Sequence, residues 1–238
     1  MDTETDLGGR VVGVVGGSGG VGASTFAAVL AAVAGASAPG GSVLVDLDVS
    51  GGGADVLLGI EATAGARWSG LHVAGGRLAA DVLVDGLPRW GPCAVLAADV
   101  PTIAADAVLQ VIQVASSVAP VVVDLPRASC AERAAALVCC DLVVVLARGD
   151  VGGLVAAHAV VSGLPELPLG LVVRRGGVSG PRAAELVGVP LLGELPAVTN
   201  RFALEHRRLP RAAERIAAGV LAGVDRRVAG RLARAVPA

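Results

Sequence analysis

The chain is 238 residues long, 54% apolar and only 2% aromatic, with a formal net charge of −2 and all 19 basic residues arginine. That length suits one α/β domain or at most two small ones, and the charge argues against nonspecific nucleic-acid binding by the whole chain. Mean hydropathy is +0.72, yet no run of about 18 uninterrupted apolar residues is present to span a bilayer.

The acidic start, Met1 to Asp6, is not expected to act as a signal peptide, and residues 1–9 are expected to be a flexible N-terminus. Val11–Val15 reads as a strand. The loop Gly16-Gly17-Ser18-Gly19-Gly20-Val21-Gly22-Ala23-Ser24-Thr25 follows it, and a helix over Ser24–Ala34 comes next. Strand, glycine loop and helix are the context of a P-loop. Glycines let backbone N–H groups converge on an anion, and the helix N-terminus adds partial positive charge. The lysine that normally reaches the β- and γ-phosphates is replaced by Ala23. A GC-rich genome that trades lysine for arginine accounts for the lysine-free surface, but it would more readily have placed arginine than alanine at position 23.

The next strand, Val43–Val45, ends in Asp46-Leu47-Asp48. Two carboxylates spaced by two lie on one side of an extended chain, at the strand end where open α/β sheets bind ligands. Near a phosphate, one can hold Mg²⁺ and the other orient water. The bland reading is a pair of turn-capping aspartates, and the position one βα unit after a glycine loop favours function. Glu61 to Pro92 is the least regular stretch and is expected to be a mobile surface segment. Trp68 and Trp90 bracket it, either as partner contacts or as plugs of a small-residue core.

Ala94–Ala97 reads as a strand and Ile103–Ser116 as a helix. Val121–Val123 is a strand that ends in Asp124-Leu125-Pro126, the pattern of a Mg²⁺-binding carboxylate. Helix Ala131–Cys139, strand Leu142–Leu146, helix Gly152–Ser162, strand Leu169–Val173 and helix Pro181–Val187 follow, with helix again after Pro210. Short strands without alternation are those buried on both faces. The βα rhythm therefore predicts a single α/β domain with a mostly parallel sheet, covered by helices on both faces. Cys93, Cys130, Cys139 and Cys140 lack metal-ligand spacing and read as reduced, mostly buried hydrophobes. His72, His158 and His206 suggest no triad.

The runs GGSGGVGAST, VLVDLDVSGGGADVLLGIE and VVVDLPRA resemble the MinD/ParA superfamily with a deviant Walker A loop. Within it the chain resembles the CpaE/TadZ branch and its actinobacterial CpaE-like, septum site-determining (Ssd) group. The resemblance covers roughly Arg10 to Arg211. It implies a P-loop domain over residues 10–211, a C-terminal helical segment over 212–238, ATP and Mg²⁺ as cofactors, and a homodimer that places other machinery in the cell. Carried over, Gly19, Gly20, Val21, Gly22, Ala23, Ser24 and Thr25 bind nucleotide. Ser24, Asp46 and Asp124 serve the metal, and Asp48 positions the attacking water. The family's signature lysine is replaced by Ser18, so ATP-driven dimerisation and hydrolysis are both left open. The family's asparagine near adenine, at the end of a late strand, is replaced by Arg174-Arg175. A receiver-like domain common in CpaE/TadZ proteins is expected to be missing or encoded elsewhere.

Arg10, Arg127, Arg148 and Arg174 lie near strand ends, where a guanidinium can replace lysine on phosphate. Arg127 is the first choice among them and is weighed against a solvated loop arginine. Residues 224–236 combine Val224, Val228 and Leu232 with Arg226, Arg227, Arg231 and Arg234. They read either as a peripheral membrane contact or as a final helix packed on the domain. The protein is expected in the cytoplasm, at times peripheral to the inner face of the plasma membrane. Two functions stay open: a nucleotide-dependent spatial regulator of a division septum or a pilus/secretion machine, and a pseudo-ATPase scaffold that binds no nucleotide.

Overall fold

The computed structural model describes residues 10–71, 79–197 and 210–235, with side chains up to residue 226. Strands β1 (Val11–Gly16), β2 (Ser42–Asp46), β3 (Arg89–Trp90), β4 (Cys93–Leu96), β5 (Val121–Leu125), β6 (Leu142–Arg148), β7 (Leu169–Arg174) and β8 (Leu191–Leu195) form one sheet of order β3-β4-β2-β5-β1-β6-β7-β8. Every pairing is parallel except the short edge β3–β4. The α-helices are α1 (Ala23–Ser37), α2 (Ala54–Leu58), α3 (Ala80–Asp85), α4 (Ala105–Ser116), α5 (Ala131–Cys139), α6 (Val151–Ser162), α7 (Gly180–Val187) and α8 (Arg211–Ala235).

The unbroken apolar strands are indeed covered on both faces. In β1 all six residues are buried, and its side chains alternate between two cores. Val11 and Val15 join α3 to α7, whereas Val12 and Val14 join α1, α2 and α8. Burying one such valine is worth roughly 1.5–3 kcal/mol, so the central strands fix the layer order. On α8, Ala213, Ala217, Val220, Leu221 and Val224 are buried at helical spacing and pack with α1 in a single core. Val224 thus belongs to a packed helix. Residues 227–238, the rest of the basic tail, have no described side chains.

The sequence pattern does not announce β8, because Gly193 and Glu194 interrupt its apolar run. Both have packing reasons. A Cβ on Gly193 would lie 2.7 Å from Ile216 of α8. Glu194 accepts from the Gly180 N–H at 2.6 Å, at the start of α7, and from Arg175 Nε at 3.1 Å. Helix α4 starts two residues after the expected Ile103, which itself is buried.

Most described residues of the stretch Glu61 to Pro92, expected as mobile surface, are exposed, but it is tied down at one point. The Arg67 guanidinium donates to Asp55 Oδ2 at 3.1 Å and to the carbonyls of Thr63, Gly65, Ile60 and Glu61, folding that loop around one charge. Trp68 is 6% exposed and Trp90 3%, so both are core plugs. Residues 72–78 lie outside the described set. All four cysteines are free, and burial pushes the Cys140 thiol up to about 12, which suits an inert role.

Candidate functional site

The site lies at the carboxyl ends of β1, β2 and β5, where the chain crosses from one side of β1 to the other and ligands bind in open α/β sheets. The loop leaves β1 with the Gly17 N–H bonded to Leu146 O at 2.8 Å. Gly17 is required by close approach, since a Cβ there would sit 2.8 Å from Ala157 of α6. Gly22 precedes α1 with φ 95°, a left-handed value, and offers no side chain to cap the helix. The first N–H groups of α1 thus have no partner in the helix and face an anion-sized cradle. A Cβ on Gly19 or Gly20 would meet nothing within 4 Å, so that side of the loop is open. Ser18 Oγ is buried without a hydrogen-bond partner among the described residues.

These features border one cavity of about 740 Å³. Gly19, Gly20, Val21, Gly22, Ala23, Ser24, Thr25, Asp48, Asp124 and Arg127 all line it, so ten of the eleven expected site residues come together. Asp46 is the exception. Its Oδ1 accepts from the Asp48 N–H at 2.9 Å, and its Oδ2 from the N–H groups of Ala54 at 2.8 Å and Ala98 at 3.2 Å. Trp68 Nε1 donates to its backbone carbonyl at 2.8 Å. Asp46 thereby ties together the loops that surround the cavity.

Asp46 and Asp124 are register partners on adjacent strands, and both are buried. Burial pushes the Asp46 carboxyl up to about 6, against the pull of its three backbone N–H donors. Burial also pushes Asp124 well above the usual carboxylate range. The neighbouring Asp46 charge adds to that rise, and a hydrogen bond from Ser24 opposes it. Because folded Asp46 keeps its proton to higher pH than the unfolded chain, its contribution is complete below about pH 4. It falls by about 3 kcal/mol as the pH rises to about 6. The stability gap between wild type and Asp46→Asn, measured by urea unfolding at pH 4 and pH 7, should therefore shift by about that amount in favour of the variant. A pH-independent gap would contradict this.

Of the four candidate arginines, two are engaged elsewhere. Arg10 pairs with Asp225 at 2.5 Å and Arg148 with Asp150 at 3.2 Å. Arg127 lines the cavity, and its carbonyl is held by Arg133 Nη1 at 2.6 Å. Arg174 also lines it. Sequence reasoning ranked Arg174 below Arg127, although its place at the end of the strand beside β6 was the available signal. Ser50, Leu57 and Ala197 also line it and carry no sequence signal of their own. His158 is exposed on α6, and His72 and His206 lie outside the described residues.

The donor set fits Mg²⁺ shared with phosphate. Ser24 and Asp124 are hydrogen-bonded hard oxygen donors at the base of the cradle. No cluster of three or more His, Cys, Asp or Glu able to hold a metal alone occurs among the described residues. Magnesium is commonly held by one or two carboxylates plus substrate phosphates, where it neutralises charge on the β- and γ-oxygens.

No protein-family model matches the chain. Two uncharacterized proteins from two strains of Mycobacterium tuberculosis are 38% identical over 245 residues, across 95% of this chain. The chain spans 65% of the length of these curated relatives. The fold is that of ParA and MinD ATPases. The ParA family ATPase of Chlorobium tepidum matches with TM-score 0.76 and 17% identity, over 90% of this chain and 98% of that one. The septum site-determining protein MinD of Pyrococcus horikoshii, solved with Mg-ADP, matches with TM-score 0.67 and 18% identity, over 90% and 98%.

Proposed function

We propose that the chain is a MinD/CpaE-like, ATP-binding spatial regulator of the deviant Walker A class, whose lysine-free loop makes hydrolysis weak or absent. The observation that carries this reading is the convergence of the glycine loop, Ser24, Asp48 and Asp124 on one cavity. A nucleotide would lay its phosphates on the loop N–H groups, with Mg²⁺ between them and the Ser24–Asp124 pair. Asp48, with Oδ1 accepting from the Ser50 N–H at 3.2 Å, is the residue that would orient water. Bound ATP would stabilise one state of a homodimer over another. The output would be placement of a division septum or of a pilus or secretion machine. Such a protein would work in the cytoplasm. No helix among the described residues is long and apolar enough to cross a membrane, so contact through residues 224–236 would be peripheral.

The second reading, a nucleotide-independent scaffold, is favoured by the replacement of both family lysines by Ser18 and Ala23. Titration calorimetry with ATP and ADP in Mg²⁺ separates the two. Micromolar binding is expected, and no heat at millimolar ATP would leave the scaffold. Arg127→Ala should weaken binding about 3- to 10-fold, as expected for loss of one exposed charged contact. Unchanged affinity would remove Arg127 from the site.

A further inference from the structure

Among the described residues, Arg133 is the one buried arginine, 4% exposed in the first turn of α5. Its Nη1 donates to Arg127 O at 2.6 Å. Within the described residues its guanidinium makes no other hydrogen bond and no ion pair. The neighbouring Cys130 is no counter-ion, since burial pushes its thiol pKa up. Burial pushes the Arg133 pKa down, yet an arginine keeps its charge. A buried cation held by one carbonyl is costly, and the positive end of a helix adds to that cost. What remains is the Nε–Nη2 edge, whose parallel N–H groups form the fork that matches a carboxylate. Neither nitrogen is a sealed, unpaired donor among the described residues, so the edge faces space that a small molecule can enter.

That space is a second cavity of about 830 Å³, within the size range of small-molecule sites. It shares no lining residue with the first. It opens where the helix layer parts, with α5 packed on α4 and α6 on α7. Besides Arg133, Ala134, Leu137 and Val138 line it from α5, and Leu164, Pro165 and Leu167 from the connection between α6 and β7. Apolar walls with one buried cation suit a ligand that is apolar along its body and anionic at one end. We propose that this cavity binds a small monocarboxylate with an aliphatic body, its carboxylate on the Arg133 fork and its chain against the apolar walls. One guanidinium balances one negative charge, and Glu166, which also lines the cavity, disfavours a second. The inference is independent of the nucleotide reading. The two sites are nevertheless linked, because Arg133 holds the carbonyl of Arg127, which lines the first cavity.

The test titrates wild type, Arg133→Gln and Ala134→Trp with octanoate, octanamide and acetate by calorimetry. Ala134 is exposed, so a tryptophan there fills the cavity without entering the core, and unliganded melting curves show whether each variant folds. Octanoate should bind wild type at millimolar concentration or below. Octanamide on wild type, and octanoate on Arg133→Gln, should each bind at least about 10-fold more weakly, for want of one charged partner. Acetate should also bind at least about 10-fold more weakly than octanoate, because it buries no chain. Ala134→Trp should abolish octanoate binding and leave the melting temperature unchanged. Absence of octanoate binding by wild type would overturn the proposal. Octanamide as tight as octanoate, or unchanged octanoate affinity in Arg133→Gln, would overturn it by leaving a nonspecific apolar cleft. Acetate as tight as octanoate would overturn it by leaving a bare anion site. Should Arg133→Gln fail to fold, Ala134→Trp decides, and unchanged octanoate affinity there would place the ligand elsewhere and overturn the proposal.

Discussion

Asp124→Asn should cut MgATP affinity by about 100-fold and remove its dependence on Mg²⁺, while raising the melting temperature of the ligand-free protein at pH 8. The two effects have one origin. Asp124 is 3% exposed, beside the buried Asp46 on the neighbouring strand, and burial and that neighbour push its pKa well up. Ionising it without a cation is costly. A bound Mg²⁺ would remove that cost, so on the proposed reading the buried carboxylate would favour metal in the folded state. Asparagine keeps an oxygen to accept from Ser24 but has no charge to desolvate and none to offer a cation. An acid with a raised pKa loses stability as pH rises through its folded value. The melting temperatures of variant and wild type should therefore differ more at pH 8 than at pH 4. Calorimetry with and without EDTA, paired with melting curves at the two pH values, checks both halves. Binding that still depends on Mg²⁺ in the variant would place the metal elsewhere, and loss of binding with a lowered melting temperature would mean a damaged fold.

The parts of this molecule that were legible in sequence are those in which local pattern and global role agree. Unbroken valine runs can only be strands covered twice, and β1, β2 and β5 are. The glycine loop and Asp124 were legible because a tight backbone approach and a strand-ending carboxylate each need specific residue types at fixed places. Asp46 shows the limit. As one half of an Asp-Leu-Asp pattern it reads like Asp48, yet β2 ends at Asp46 and its oxygens accept from backbone N–H groups of Ala54 and Ala98, which no local pattern brings there. Arg67 was hidden because arginine has no positional signature in loops. Arg174 stood out only as a strand-end arginine, and the carbonyls it holds come from Pro196, just after β8, and from a loop 153 residues earlier. Both tryptophans were open to two readings until the contact of Trp68 Nε1 with Asp46 O and the burial of Trp90 made them core.

Restoring the missing lysine is the sharpest way to ask whether the loop still works. Ala23 is half-buried and lines the cavity, so a longer side chain there enters open volume and not packed core. Ala23→Lys should therefore change the melting temperature little. If the cradle is intact, the new ammonium makes charge-assisted bonds to phosphate worth about 1.5–3 kcal/mol, or 10- to 100-fold in ATP affinity. If the loop survives only as a turn between β1 and α1, the lysine finds no ligand and ATP binding stays undetectable. Turnover is a separate readout, because it also needs Asp48 to orient water, and it should appear only in the lysine variant.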